Sequence, residues 1–463
     1  MSGVGALVSA ALMVGVPQPA PSGGGALRRP GPAGSLLIIE DDHSVPLVHV
    51  VIASRSGSAS DPRHREGLTN LAATWARHGA GGRSRTELDE ALDALGATLE
   101  VRTEPDSTRF EGEVLSRNLD AYLALIGDIL IRPTFAPGEF IRTRTEIEGQ
   151  IEELRNDDRE LCARFFMHNL YGDHPYGHPP EGIKPALDGA TAAEAAAHFH
   201  RHFGGKNLIF AFSGDVDPPA LDASLARAMH QLSPAPAPPP NALELRQPVA
   251  LKGWRIQLVD KPDRQQSQFM FGQPAVRAAD PDFVPLSVAV AAFGGRAMSA
   301  TLMDEVRRKR GLAYGAYLQL EERRATGALA GWVFSGTDKT VGMLKLVLKL
   351  YVAFMEKGLS DADVTFFQRF LAGSEASEMD VPEHRLDARV SAEVAGLPAD
   401  FVDTFPARVL AVSPAEVNAA IKRAVHARDL ALTLVATAPV MKKLLIEAKI
   451  QESAIDVVPY DGY

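Results

Sequence analysis

Two segments far apart in the chain repeat one pattern of helix, turn and strand, and this repeat constrains the fold most. The first segment is TAAEAAAHFHRHFGGKNLIFAFSGDVD from Thr191, and the second is SPAEVNAAIKRAVHARDLALTLVATAP from Ser413. In an alignment without gaps, Thr191 matches Ser413 and Glu194 matches Glu416. A hydroxyl residue followed three positions later by Glu is typical of a capping box at the start of a helix. The same helix start is therefore predicted twice.

The segments that follow these two helices also match. Apolar residues occupy every second position from Leu208 to Phe212 and from Leu430 to Leu434, which is the period of a β-strand. A helix-turn-strand unit that occurs twice indicates a duplicated fold. We therefore predict an α+β protein with two homologous halves, each an antiparallel-rich sheet with helices packed on it.

A proline-rich segment, SPAPAPPPNALELRQP from Ser233 to Pro248, separates the two halves. Five prolines lie between Pro234 and Pro240, and such a composition favours an extended, semi-rigid linker. The sequence thus predicts an N-terminal half over residues 35–232, a linker over 233–250 and a C-terminal half over 251–463.

Residues 1–34 are predicted to be an N-terminal tail or a signal segment. The apolar run VGALVSAALMVGV, Val4 to Val16, has the length of a signal-peptide core, but the preceding MSG lacks Lys and Arg. A secretory signal and a disordered apolar tail both remain open, and so do a periplasmic and a cytoplasmic location. No run reaches the about 18–20 apolar residues that span a membrane, so we expect no membrane span.

Composition excludes some classes of function. The formal net charge is -10 and no basic block occurs, which argues against a nucleic-acid partner. Cys162 is the single cysteine, so an intramolecular disulfide and a cysteine-based metal site are both excluded. We expect Cys162 to be a small buried hydrophobic residue.

Several short motifs occur in a defined order along the two halves. In the first half they are SGSASDP, GLTNLAA, GGRS, RPTF, HPYGHP and FSGDVD, and in the second LVDKPDRQQSQFMFG, FGG and EVRRKRGLAYGAY. Their order and spacing resemble the insulinase/pitrilysin family of zinc peptidases (the inverzincins) and the mitochondrial processing peptidases. The resemblance covers roughly Leu36 to Pro439. It implies that the two halves face each other as a clam-like chamber.

Catalytic members of that family carry the motif H-x-x-E-H on the first helix after a Gly-Leu pair. Two imidazoles one helical turn apart hold zinc, and the Glu takes a proton from the zinc-bound water. At the corresponding positions this chain has Asn70, Ala73 and Thr74. An amide, a methyl group and a hydroxyl do not replace those functions, and neither His64 nor His78 lies in such a motif. The resemblance thus implies a degenerate zinc motif with no metal or cofactor in this chain.

Other candidate ligands receive a structural interpretation. The family has a third zinc ligand, a Glu, on a later helix, where this chain offers Glu152 and Glu153; without histidines, these are expected to lie on a solvated helix face. His198 and His202 are one helical turn apart, but they close the repeated unit and are expected to be structural. HPYGHP, residues 174–179, is expected to be a loop in which prolines fix turns.

The segment LMDEVRRKRGLAYGAY resembles an Arg/Tyr element of the family, with Arg307 seven residues before Tyr314. Gly311 is predicted to end a helix, with Arg307 in its last turns and Tyr314 on the next strand. In the family this pair faces the zinc from the other half of the molecule and stabilises the oxyanion, where one such donor contributes on the order of 10²–10³ in rate. Residues 300–302 are Ala-Thr-Leu instead of the frequent Ser-Arg-Leu.

The alternative interpretation of this pair is structural. Arginines in a last helical turn complement the helix dipole, and tyrosine is common in strands. The family context favours the functional interpretation of Arg307 and Tyr314.

The leading hypothesis is that this chain is the non-zinc subunit of a heterodimeric zinc peptidase. A homologous partner with H-x-x-E-H would bind the zinc, and this chain would supply Arg307, Tyr314 and a surface that binds unfolded peptide. The rival hypothesis is an inert scaffold, as in the core subunits of the respiratory cytochrome bc1 complex. A metal peptidase that acts alone is the least favoured class.

Overall fold

The structure is a computed structural model that describes residues 25–235 and 251–462. The signal-like run Val4–Val16 and most of the predicted linker lie outside the described residues. The first-half strands are β1 (Leu27–Pro30), β2 (Leu36–Asp41), β3 (Leu47–Ser54), β4 (Gly79–Ala80), β5 (Arg83–Ser84), β6 (Glu100–Thr103), β7 (Thr108–Leu115) and β8 (Leu208–Gly214). The first-half helices are α1 (Leu68–Arg77), α2 (Arg85–Leu95), α3 (Leu119–Ile131), α4 (Pro137–Leu154), α5 (Asp158–Tyr171), α6 (Lys184–Gly189), α7 (Ala192–His202) and α8 (Pro218–Ala228).

The second half has the strands β9 (Arg255–Asp260), β10 (Gln266–Ala275), β11 (Ala316–Glu321), β12 (Gly327–Gly336), β13 (Ala431–Ala436) and β14 (Ile455–Pro459). Its helices are α9 (Phe283–Gly294), α10 (Thr340–Lys357), α11 (Asp361–Glu378), α12 (Pro382–Val394), α13 (Phe401–Ala411), α14 (Pro414–Ala424) and α15 (Ala438–Glu447), together with a π-helical segment, Met303–Arg308. The first sheet begins at Leu27 with β1, upstream of residue 35, where the sequence placed the domain boundary.

The two large sheets have the same strand order. The first runs β1-β2-β8-β3-β7-β6, and the second, read from its other edge, runs β14-β9-β13-β10-β12-β11. In both, the second and third strands are parallel and the following pairs are antiparallel. Only the added edge strand differs, since β1 is antiparallel to β2 whereas β14 is parallel to β9. The predicted α+β class and the two homologous, facing halves are confirmed.

The repeated unit has the predicted helix starts. The Thr191 side chain accepts a hydrogen bond from the Glu194 backbone, and the Glu194 carboxylate accepts one from the Thr191 backbone N–H at 2.9 Å. Ser413 and Glu416 form the same capping box, with the return bond at 2.7 Å. Each box satisfies backbone donors that a helix start leaves free.

One face of each sheet is covered by helices of its own half. In the first half, Phe210 and Phe212 of β8 pack into a core that includes Leu71 and Trp75 of α1. In the second half, alternating leucines of the β13 region, such as Leu432, pack against α9 and α10 in the same way. The helix-covered face is therefore the hydrophobic core that each half builds for itself.

The other face of each sheet is covered by a helix from the opposite half. Leu386 and Val390 of α12 pack on Ile209 and Ala211 of β8. In return, α5 packs on the second sheet through Leu161, Cys162 and Phe165, beside Val259 and Val435. This exchange buries every residue of β8 and β13 and joins the halves into one packing unit. Cys162 is fully buried, as predicted. No described helix combines the length and apolarity needed to cross a lipid bilayer.

Candidate functional site

The start of α1 is held by a buried carboxylate. Asp61 accepts hydrogen bonds from the backbone N–H of Gly67 at 2.6 Å and from the N–H and hydroxyl of Thr69 at 2.7 and 2.6 Å. Gly67 has φ 97°, and a Cβ there would lie 2.7 Å from the Glu181 carbonyl oxygen. Burial raises the pKa of Asp61 to about 6. The glycine and the carboxylate together fix where α1 begins.

The three degenerate motif positions lie on α1 with different burial. Ala73 is fully buried, whereas Asn70 and Thr74, one helical turn apart on the same face, are half-buried. Leu71 and Trp75 are buried in the first core, as expected for a helix that packs against its own half. The residues therefore do not fit zinc, because no imidazole or carboxylate stands at the ligand positions and the base position is a methyl group in the core.

The helix that carries the third ligand in the family also presents an apolar face here. His78 at the end of α1 bonds through Nδ1 to the Thr143 hydroxyl of α4 at 2.7 Å. One and two turns further along α4 are Ile147 and Ile151, both buried in the core that contains α1. Burial lowers the pKa of His78 to about 4. The contact between α1 and α4 is thus a neutral, packed interface.

The glutamates considered as third zinc ligands lie on the protein surface. Glu152 and Glu153 are exposed, and Glu152 forms an ion pair with Arg155 at 2.6 Å. His64 is also exposed, in a left-handed conformation with φ 63°. Glu152 and Glu153 therefore have the solvated positions that the sequence predicted.

The paired histidines of α7 belong to a buried network behind α1. His198 Nε2 is 2.8 Å from the Thr69 hydroxyl, and His202 Nδ1 is 2.9 Å from the Ser56 hydroxyl. The two imidazole rings stack with centroids 4.1 Å apart. Burial lowers the pKa of His198 to about 3 and that of His202 to about 4. The predicted structural role is confirmed by these contacts.

The HPYGHP motif forms a packed turn. The His174 side chain accepts a hydrogen bond from the Tyr176 backbone N–H at 3.1 Å, and residues Pro175–Gly177 form a short 3₁₀ helix. The Tyr176 hydroxyl bonds to the Asp106 carboxylate at 2.6 Å. The motif therefore fixes a loop against the first half, as the sequence predicted.

The Arg/Tyr element differs from the predicted helix and strand. Arg307 lies in the π-helical segment, where the N–H of Lys309 bonds to the carbonyl oxygen of Asp304 at 2.9 Å. Gly311, with φ 59°, follows this segment. Tyr314 lies in a loop and not on the strand, because the first residue of the β11 ladder is Ala316, paired with Val333. π-Helical turns are rare and occur often at functional sites.

The cations around Arg307 are neutralised, but Arg307 is not. The neighbouring ion pairs are Arg308 and Lys309 with Asp304, and Lys309 and Arg310 with Glu305. Within the described residues Arg307 has no carboxylate partner, and its Nη1 lies 3.9 Å from the Met298 sulfur. Tyr314 is 79% exposed and Met298 is 49% exposed. The helix-dipole interpretation therefore does not explain why Arg307 and Tyr314 face solvent.

The two candidate sites are not joined by a direct polar contact in the part of the chain that the structure describes. Across residues 25–235 and 251–462, no hydrogen bond or ion pair joins Arg307 or Tyr314 to Asn70 or Thr74. Arg307 and Tyr314 also make no hydrogen bond with each other.

One cluster was not singled out in the sequence. His49, Glu113 and Glu383 each offer a ligand atom, and these atoms lie within 4.8 Å of one another. The three residues come from β3, β7 and α12, so only strand pairing and helix exchange bring them together. No local spacing in the sequence marks this cluster.

Two family descriptions match the chain. The description "Insulinase (Peptidase family M16)" matches residues 36–182, and "Peptidase M16 inactive domain" matches residues 189–369. Together they cover well over half of the chain.

Relatives match along most of their length. The chain is 21% identical over 401 residues to the "Non-peptidase homolog YmxG" of Helicobacter pylori, which covers 86% of this chain and 91% of that relative. A solved peptidase M16 inactive domain from Pseudomonas fluorescens has a TM-score of 0.79 at 22% identity and covers 89% of this chain and 98% of its own. A chain of Complex III2 from Candida albicans has a TM-score of 0.74 at 15% identity and covers 93% and 100%.

These matches agree with the duplicated sheets and with the degenerate motif on α1. At the identities of the solved structures, the similarity shows the shared fold. The first family description lies within the first half, and the second runs from the repeated unit at the end of the first half into the second half. This chain belongs to the insulinase family of peptidases, family M16, and carries that family's fold without its zinc-binding residues.

Proposed function

We propose that this chain is the non-zinc subunit of a heterodimeric zinc metallopeptidase that degrades or processes unfolded peptides. A homologous partner subunit with H-x-x-E-H binds the zinc and activates water there. The observation that carries the proposal is an asymmetry between the halves. The motif positions Asn70, Ala73 and Thr74 lack zinc-binding side chains, whereas Arg307 and Tyr314 are exposed to solvent.

The chemistry of the pair suits peptide hydrolysis. The Arg307 guanidinium offers several N–H donors and a fixed positive charge, and the Tyr314 phenol offers an O–H donor. Both can donate to the carbonyl oxygen of a bound peptide and stabilise the negative charge that develops on it during attack by water. Water exclusion by the partner would strengthen these interactions, because charges attract more strongly in a low dielectric.

The surroundings of the pair support a partner in trans. Arg307, Tyr314 and Met298 are all exposed, and Arg307 contacts Met298; we call these three residues the Arg/Tyr patch. Arginine, aromatic residues and methionine are enriched in protein interfaces. A zinc-bearing subunit that covers this patch would bury Tyr314 and place Arg307 beside the substrate. The similarity to a relative described as a non-peptidase homolog supports a chain that does not act alone.

The test is reconstitution. The chain is coexpressed with an H-x-x-E-H homologue from the same genome, and cleavage of an unstructured peptide is measured for each chain alone and for both together. Activity is expected to require both chains. The double variant Arg307→Ala with Tyr314→Phe is expected to lose on the order of 10²-fold or more in turnover while the dimer persists. Unchanged turnover in an intact dimer would show that the pair has no catalytic role.

The alternative function is an inert scaffold. The observation that favours it is the fold similarity to a chain of Complex III2. A scaffold would bind its partner without adding peptidase activity, and substitutions of Arg307 and Tyr314 would change assembly only. The presence of a zinc-bearing homologue in the neighbouring gene would favour the peptidase pair over the scaffold.

A further inference from the structure

His49 lies on the face of the first sheet that α12 covers. Alternating residues of β3 point to opposite faces, and Val48, Val50 and Ile52 belong to the core that contains α1. Val51 and Ala53 pack instead against α12, so His49 shares their side. The cluster around His49 is therefore separated by the sheet from the degenerate zinc motif on α1.

Three carboxylates from two elements, β7 and α12, surround His49. Glu113 on β7 is its direct cross-strand partner, and Glu383 comes from the first turn of α12. One ligand atom from each of these three residues lies within 4.8 Å of the other two. Asp387, one turn after Glu383 on α12, adds an oxygen 3.9 Å from His49 Nε2.

The polar atoms at this point have no hydrogen-bond partners. Both ring nitrogens of His49 and Oδ1 of Asp387 are buried, and none of them forms a hydrogen bond within the described residues. His49 Nε2 and Asp387 Oδ1 form a long ion pair at 3.9 Å, too far apart for a direct hydrogen bond. Leaving a buried polar atom without a hydrogen bond costs about 1–3 kcal/mol, and a water or an ion is one of the groups that can supply the missing contact. Two ligands of one ion with bonds of about 2.1 Å lie about 3.4–4.2 Å apart, a range that includes the His49–Asp387 separation.

The local charge favours a cation. Three carboxylates, those of Glu113, Glu383 and Asp387, face two guanidinium groups. Arg109 is 3.7 Å from Asp387, and Arg102 also attracts Asp387 but is paired with Glu104 at 3.0 Å. Arg109 also contacts the Glu104 carboxylate at 3.3 Å, so its charge is shared. Glu113 and Glu383 are exposed, and an ion can therefore enter from solvent.

We propose that His49, Glu113 and Glu383, with Asp387, bind a divalent transition-metal ion such as Zn²⁺. One imidazole with carboxylate oxygens is a donor set that Zn²⁺ and Mn²⁺ accept. The ion ties two strands of the first half to α12 of the second half. Its role is to hold the exchanged helix in place, and it takes no part in peptide hydrolysis.

The test uses the full chain after treatment with a chelator. Zn²⁺ is titrated while heat of binding and the midpoint of thermal unfolding are measured, with Mg²⁺ as a parallel titration. We expect one Zn²⁺ per chain and a higher unfolding midpoint. His49→Gln and Glu383→Gln are each expected to weaken Zn²⁺ binding by about tenfold or more, and Glu383 is exposed, so its variant should fold even if the His49 variant does not.

His43→Gln is the matched control, because His43 is an exposed histidine that pairs with one carboxylate, Asp215, at 2.6 Å. Its Zn²⁺ affinity should equal that of the unmodified chain. Absence of stoichiometric Zn²⁺ binding, or a preference for Mg²⁺, would overturn the proposal. So would Zn²⁺ binding that survives Glu383→Gln but disappears in Asn70→Ala with Thr74→Ala, which would assign the ion to α1.

Discussion

The two halves have opposite chemistry at two matched positions of the same fold. Both α2 and the π-helical segment are followed by a left-handed glycine, Gly96 with φ 60° and Gly311 with φ 59°, and then by an edge strand. When these glycines are aligned, Leu92 falls on Arg307 and Leu99 falls on Tyr314. Leu92 and Leu99 are 3% and 7% exposed, whereas Tyr314 is 79% exposed.

The difference shows that the first half uses these positions for core packing, whereas the second half exposes polar side chains there. In the first half the two positions fill a core, and the neighbouring α1 has likewise an alanine, Ala73, at its base position. In the second half the same two positions carry a cation and a phenol that contribute nothing to a core. The fold itself does not require Arg307 and Tyr314 to be exposed, so their exposure supports a role toward another molecule.

The largest expected effect of a single substitution comes from placing a charge in the core of the N-terminal half. Ala73→Glu restores the family's base but places a carboxylate at a fully buried position. We expect a loss of roughly 3–5 kcal/mol in the free energy of unfolding, because a buried charge has no partner there. Urea denaturation measures it. Thr74→Glu, at the adjacent half-buried position, is the control and should lower the free energy of unfolding far less. Equal losses for the two variants would mean that Ala73 is not buried in the core.

The second prediction concerns the histidines behind α1. Unfolded His titrates near 6.5, above the folded values of about 3 for His198 and about 4 for His202. Between these pH values the unfolded state binds more protons, so the free energy of unfolding falls as pH drops from 6.5. Asp61, with its pKa raised to about 6, opposes this fall between pH 6 and 4. His78, whose pKa is lowered to about 4, adds to the fall. The net decrease from these four groups should be about 6 kcal/mol between pH 6.5 and 4.

Urea denaturation at a series of pH values tests this titration. His198→Gln with His202→Gln should remove most of the decrease. His200→Gln is the control, since His200 lies between the two on the same helix but is exposed. A double variant with the same pH profile as the unmodified chain would contradict the burial of this network.

The smallest expected effect on stability is that of Arg307→Ala, and it is compared with Leu92→Ala at the aligned position of the first half. Leu92→Ala should cost about 2–3 kcal/mol in the free energy of unfolding, because it leaves a cavity in a core. Arg307→Ala should change it by less than about 0.5 kcal/mol, because the side chain is exposed and lacks a carboxylate partner. Thermal or urea unfolding of both variants measures the difference. A large loss for Arg307→Ala would make Arg307 a structural residue.

Local patterns in the sequence were sufficient to predict much of this fold. The capping boxes at Thr191 and Ser413 and the alternation after them are short-range patterns, and they predicted the duplicated α+β architecture. The degenerate motif at Asn70, Ala73 and Thr74 was identified through the resemblance to the family, whose zinc motif lies within one helix. Gly311 was a correct stop signal, because a helix end also depends on neighbouring residues.

Long-range pairing explains what the sequence did not predict. The position of Tyr314 in a loop depends on where the β11 ladder begins, which is decided by its pairing with β12. The cover of α12 on the first sheet joins residues from opposite halves, such as Leu386 and Ile209. The cluster at His49 depends on both effects at once. A pattern of residues within one segment does not predict such long-range contacts.

The central claim is that Arg307 of this chain stabilises the oxyanion at a zinc site in another subunit. The most direct measurement is kcat/KM for an unstructured peptide in the reconstituted heterodimer, with Arg307→Ala compared with Arg308→Ala. Arg308 is the matched control, because it is the adjacent exposed arginine but is paired with Asp304. The account predicts a loss of about 10²-fold for Arg307→Ala and a change within about twofold for Arg308→Ala. Equal values for the two variants, in dimers of equal stability, would contradict it.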